Sequence, residues 1–345
     1  MVEITLVTGR YDGWRFAWAI YCFSVLMIGF FATLPAHSQA KPSRIEGPNA
    51  CVECHKKEGD IWKKSHHHST FRDMPRSNEA RAIAKKMKIK RMKSSSLCLG
   101  CHFTTQKAKK KNKPIAGISC ESCHGKGQRY IKVHAEFSGK KNKESESKTE
   151  VAARWKKSEA AGMIRPNALY KLAKNCYSCH VVPREKLVNV GGHTAGSKFE
   201  LYSWSQGEVR HNVWYSKENT QANVDRRRMM YVVGLFVELE TALRAVGVAK
   251  KKKAYAVRMA QRADAARKKL DAVAKALPNA PEISKIVRLG YSAGLKLNNN
   301  KALTSAADSI AREATKFASA HSGNKFGGID GMIPGSDKLR GTADK

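Results

Sequence analysis

The chain has 345 residues, 64 Lys and Arg against 29 Asp and Glu for a formal net charge of +35, 42% hydrophobic residues, nine Cys and twelve His. Its length exceeds a single core of about 100–200 residues and points to a main module with a smaller companion. The apolar fraction excludes a wholly disordered chain, and so large a basic excess implies a surface that draws anionic partners.

At the start, Arg10 and Arg15 precede an uncharged run, Phe16 to Leu34, which is followed by Pro35 and by Ser38-Gln39-Ala40. A basic flank, an apolar core and a small-x-small site form a secretory signal peptide cleaved after Ala40. Nineteen apolar residues are also about the length that spans a bilayer, so an uncleaved N-terminal anchor is the alternative. Either way the remainder is exported, to a periplasmic or equivalent compartment. Removing residues 1–40 takes away two basic and two acidic residues and leaves the charge at +35.

Cys22 lies alone in that apolar run. The other eight cysteines form Cys51 and Cys54, Cys98 and Cys101, Cys120 and Cys123, and Cys176 and Cys179, each pair followed directly by a histidine: His55, His102, His124 and His180. C-x-x-C-H is the attachment signature of haem c. Thiols three apart on one helical turn reach the two vinyl groups of one porphyrin, and the adjoining imidazole becomes the proximal iron ligand. Zinc ribbons and disulfide frameworks also use paired cysteines, but neither requires a histidine after every pair. Four covalently bound haem c groups, with iron, follow.

Beyond the leader, which holds His37, seven histidines remain outside the motifs: His66, His67, His68, His134, His193, His211 and His321. Four irons need at most four more ligands, so bis-histidine ligation is affordable in number. His67 stands for a cluster eleven to thirteen residues after His55, and His134 follows His124 by ten. His193 comes after two glycines that let backbone approach a flat macrocycle, and His211 adjoins Arg210, suited to a haem propionate. Spacing alone does not assign them to particular irons. His321 falls on an apolar helical stripe and reads as structural.

Cys51 to His55 with Trp62 and His67, the block Gly117-Ile-Ser-Cys-Glu-Ser-Cys-His-Gly125 with Gly127 and His134, and Cys176 to His180 closely resemble the tetrahaem cytochrome c-554 family over residues 51–182. The resemblance implies electron transfer away from hydroxylamine oxidoreductase in ammonia oxidation, and stacked and perpendicular haem pairs. It also implies that His134 serves the iron of His55 and His67 that of His180. The iron of His124 takes a late histidine, for which either His193 or His211 would serve. The iron of His102 is five-coordinate in that family, yet this chain has one histidine more than the family pattern uses, which leaves open a sixth ligand there.

Lysine-rich stretches separate the motifs: Lys85 to Lys93, Lys107 to Lys113 and Lys140 to Lys143. In an exported protein they suit steering of an acidic redox partner, not nucleic acid. The resemblance makes that partner a hydroxylamine oxidoreductase-like enzyme or a membrane quinone-linked cytochrome. Beyond residue 224, Val232, Phe236, Leu239, Leu243 and Val246 repeat at helical spacing, as do Met259 to Leu277 and Leu303 to His321. This pattern predicts an antiparallel helical bundle that caps the haem region or mediates self-association.

The expected architecture is mostly α with little regular sheet: a leader over 1–40, a tetrahaem domain over 41–223, a bundle over 224–325 and a flexible tail over 326–345. The expected function is an electron carrier with no catalytic residue. The alternative is a multihaem enzyme acting on nitric oxide, nitrite or hydroxylamine at a five-coordinate haem.

Overall fold

Helices in the first half are short because capping side chains, glycines and prolines recur every few residues. The computed structural model describes residues 42–109, 111–214 and 218–341; the leader, residues 1–40 with Cys22, lies outside them. Helix α1 (Pro48–Val52) opens on proline, α2 (Lys56–Lys63) leaves from His55, and α3 (His66–Asp73) is capped by Ser65, which accepts the His68 N–H. Ser77 caps α4 (Asn78–Lys86) in the same way. Helix α5 (Ser96–His102) runs straight into a hairpin of β1 (Thr104–Ala108) and antiparallel β2 (Lys111–Ala116), in which Gln106 faces Lys113. Then come α6 (Cys120–His124), α7 (Ile131–Ala135), α8 (Lys148–Ala160) with a reciprocal Ser147/Glu150 cap, α9 (Leu169–His180), α10 (Glu185–Asn189) and α11 (Leu201–Ser205).

The last four helices are longer: α12 (Val224–Val248), α13 (Ala254–Ala276), α14 (Pro281–Tyr291) and α15 (Asn300–Ala320). Asn223 caps α12, and Pro281 starts α14 where its missing N–H costs nothing. Helices α13 and α15 both pack along α12, and α14 bridges them. Leu239, Leu243, Leu270, Ile283, Leu303 and Ile310 are fully buried, and Phe236 meets the edge of Phe317 at 5.1 Å. The molecule is mostly helical, and the hairpin is the only sheet among the described residues. None of the described helices is long and apolar enough to cross a membrane.

The bundle is fastened to the chain ahead of it by two carboxylates of α12. Buried Glu240 accepts from Tyr170 Oη at 2.7 Å and Lys174 Nζ at 2.6 Å, both on α9. Glu238 holds Arg262 of α13, whose guanidinium donates to the carbonyls of Ser197, Phe199 and His180.

The expectation of a flexible tail from residue 326 needs correction. Phe326 and Ile329 are buried in the bundle, Asp330 is bound by Arg228 through two hydrogen bonds of 2.7 and 2.6 Å, and the Arg340 N–H reaches the Ser203 carbonyl. Two isolated apolar residues in a glycine-rich segment make no periodic pattern, so the sequence hid their burial.

Candidate haem-binding site

Each C-x-x-C-H sits on a short helix or its end, which puts the two sulfurs on one side a turn apart. The first spans α1 and the turn into α2, the second ends α5, the third fills α6 and the fourth ends α9. The structure brings each motif histidine to face one histidine from a distant segment. Ring centres are 6.3 Å apart for His55 and His134, 6.2 Å for His102 and His193, 5.9 Å for His124 and His211, and 6.3 Å for His67 and His180.

That common spacing tests the fit of a haem. Two metal–nitrogen bonds of about 2 Å each, with ~1.1 Å from each nitrogen to its ring centre, come to roughly 6 Å. Every pair therefore has the span for one six-coordinate iron. Among the described residues no three metal-ligating side chains converge, so the histidines meet only in twos, the number of axial positions a porphyrin leaves open.

The rings are also set in the right tautomer. Nδ1 of His124 faces the Ile164 carbonyl at 3.0 Å, that of His134 the Tyr130 carbonyl at 3.1 Å, that of His193 the Thr194 carbonyl at 2.7 Å and that of His211 the Val209 carbonyl at 2.6 Å. A carbonyl only accepts, so each Nδ1 carries the proton and Nε2 keeps its lone pair for metal. His180 Nδ1 lies 2.8 Å from Ser197 Oγ. Burial pushes His102 and His124 down to about 4 and His180 down to about 3, and it also lowers His55 and His67, so these rings are neutral.

Contacts between cysteines show how the motifs follow one another. Cys51 and Cys120 share a hydrogen bond that raises the former thiol and lowers the latter, which puts the first motif beside the third. Cys101 and Cys179 also share a hydrogen bond, which raises the Cys101 thiol and puts the second motif beside the fourth. Cys123, pushed up to about 12 by burial, feels Cys179, so the third and fourth motifs also adjoin. Cys54 is exposed, and Cys98 and Cys176 are partly buried. The spatial order is second, fourth, third, first.

The roles of several supports were not legible from the sequence, although Glu121 and Trp62 belong to the blocks that carry the resemblance. Glu121, inside the third motif and 1% exposed, accepts the N–H groups of Glu46, Gly47 and Gly127 at 3.0, 2.7 and 2.7 Å, tying the first motif to the third. The Trp62 indole donates to the Ile118 carbonyl, and the Ile118 N–H donates to the His67 carbonyl, which fixes the segment that carries His67. Trp214 packs on His55 with ring centres 4.5 Å apart. The other histidines go elsewhere: His66 to Glu208 at 2.9 Å, His68 against Trp62, and His321 to Glu282 at 3.3 Å. Arg210 is buried and donates to the Gln206 carbonyl.

Comparison with known proteins finds two similarities. A family model described as cytochrome c554 and c-prime matches residues 50–125, which hold the first three motifs. The chain is similar to cytochrome c-554 of Nitrosomonas europaea, 27% identical over 162 residues, covering 44% of this chain and 63% of that protein's length. No solved structure matches.

Proposed function

We propose that this chain, a member of the cytochrome c-554 family by its haem-motif region, is an exported tetrahaem electron carrier in which all four irons are six-coordinate. Haem c supplies reversible one-electron exchange between Fe(II) and Fe(III). The four cysteine pairs anchor the porphyrins. His55, His102, His124 and His180 are the proximal ligands, and His134, His193, His211 and His67 respectively are the distal ones. Carbonyls on Nδ1 keep rings in place, and burial keeps water from the proximal His102, His124 and His180.

The observation that carries this reading is the fourth pair. His193 faces His102 at the same spacing as the other three pairs, where the family pattern leaves a free position. A saturated iron suits a carrier, whereas a reaction on nitric oxide, nitrite or hydroxylamine needs a vacancy. Export is supported by the apolar run at residues 16–34, and an acidic redox partner by the charge of +35. A hydroxylamine oxidoreductase-like enzyme or a quinone-linked membrane cytochrome fits that role by the family resemblance.

Electron paramagnetic resonance of the oxidised protein tests the ligation. Four low-spin signals are expected, one of which turns high-spin in His193→Ala. A high-spin signal in the unaltered protein that vanishes on adding nitric oxide overturns the proposal in favour of a reactive second iron.

A further inference from the structure

From Ala80 to Cys120 the chain holds twelve Lys and Arg and no Asp or Glu, and this stretch encloses the second motif. On the distal side, a Cβ on Gly192 would stand 3.2 Å from Lys86 Nζ and one on Gly191 3.1 Å from Met87 Sδ, so the end of α4 covers the loop carrying His193. Past the proximal ligand, His102, the chain enters the hairpin, where Lys107, Lys109, Lys111 and Lys113 are all exposed. The turn Met92–Ser94 packs on both α5 and β2 and links the two sides.

A third basic run, from the bundle, lies on the distal side. Exposed Lys250 to Lys253 lie against α10: the N–H groups of Lys250 and Lys251 donate to Glu185 at 2.9 Å each, and that of Tyr255 donates to Asn189 at 3.0 Å. The carboxylate of α10 is thus already engaged. Helix α10 leads directly into Val190, which is 54% exposed and begins the loop that ends at His193. The first motif, at the other end of the spatial order, has mixed surroundings, with Glu53, Glu58, Asp60 and Glu136 close in sequence to His55 and His134.

We infer that the second motif is the port at which an acidic one-electron redox protein docks, its carboxylates meeting the end of α4 and Lys250 to Lys253 on the distal side, beside exposed Val190, and the hairpin lysines on the proximal side. This deepens the carrier reading and rests on ligation of the second iron by His102 and His193. A basic surface with little exposed apolar area favours fast, oriented encounter over tight binding. One electron leaves the donor's redox centre and is gained by the acceptor's, with no bond or proton exchanged.

The test uses the holoprotein with hexacyanochromate(III), a paramagnetic trianion, and reads haem-methyl broadening by NMR. Broadening is expected first at the second haem and is relieved in K107E/K109E/K111E/K113E and in K250E/K251E. Oxidation of the reduced protein by hexacyanoferrate(III) is expected to slow by about tenfold at low ionic strength in these variants. Broadening centred on another haem, or unchanged by either set of substitutions, overturns the port. So does loss of sedimentation with vesicles of equal phosphatidylglycerol and phosphatidylcholine while broadening and rates are unchanged, since that marks the face as membrane-docking. Loss of the second low-spin signal in the unaltered protein would defeat the ligation reading while leaving the broadening map intact, so the two failures are distinguishable.

Discussion

The two halves of the molecule meet the need to bury apolar surface with different materials. In α12 to α15 the chain supplies its own core: aliphatic and aromatic side chains recur every three or four residues and interlock until Leu239, Leu243, Phe236 and Leu270 lose all contact with water. Between residues 42 and 168, among the described residues, the buried apolar side chains are Ile45, Ala84, Phe103, Ala116 and Tyr130. Five such groups cannot offset the conformational entropy of ordering more than a hundred residues. What that half holds instead is one side or both of four histidine pairs, each spaced for one iron. A porphyrin is large, flat and apolar, so the proposed haems serve as core as well as cofactor.

The largest expected effect comes from withholding the cofactor. With all eight motif cysteines replaced by serine, hydrogen exchange should show protection lost across residues 42–168 and retained across α12 to α15. Protection kept in the first half would mean that its short helices hold without haem, and the contrast between the halves would fall. A smaller effect is expected from Phe236→Ala, which removes a fully buried ring packed on Phe317. The loss should be about 3–5 kcal/mol of bundle stability in denaturant unfolding. The low-spin signals should persist in native buffer. Their collapse together with the bundle would show that the halves fold as one unit through Glu240 and Arg262.

This division also explains what the sequence made legible. The bundle was readable because a helix that packs on its neighbours must repeat its apolar residues with its own period, as Val232, Phe236, Leu239 and Leu243 do. The motifs were readable because thioether chemistry fixes the spacing of Cys and His. Spacing did not give the pairing of distal histidines: the family resemblance supplied His134 for His55 and His67 for His180, but His193 meets His102 across ninety-one positions of chain, and no local pattern encodes so distant a contact. The same holds for Glu121, which looks like an ordinary surface residue until the N–H groups of Glu46, Gly47 and Gly127 gather round it. The packed tail escaped for the opposite reason, because Phe326 and Ile329 are too few to form a pattern.

The smallest expected effect concerns an ion pair that stands in for missing core. Arg154, nearly buried, bonds Glu146 through Nε at 2.7 Å and Nη2 at 2.5 Å, and its Nη1 donates to the His134 carbonyl at 2.9 Å. The guanidinium holds the Glu146 carboxyl below the usual carboxylate range, and Ser138 Oγ, donating at 2.8 Å, adds to this. A carboxyl lowered on folding stabilises the fold fully above its unfolded value, near pH ~4.3, and loses that contribution as pH falls through the folded value. Acid should therefore release the clasp on His134 before the bundle responds, seen as a change in the low-spin signal of the His55 and His134 pair below about pH 4. In Glu146→Gln the neutral amide holds Arg154 more weakly at every pH, so the acid step should disappear while the signal at neutral pH is slightly broadened. An unchanged acid step in that variant would assign the titration to another carboxylate and leave the first half without this polar substitute for a core.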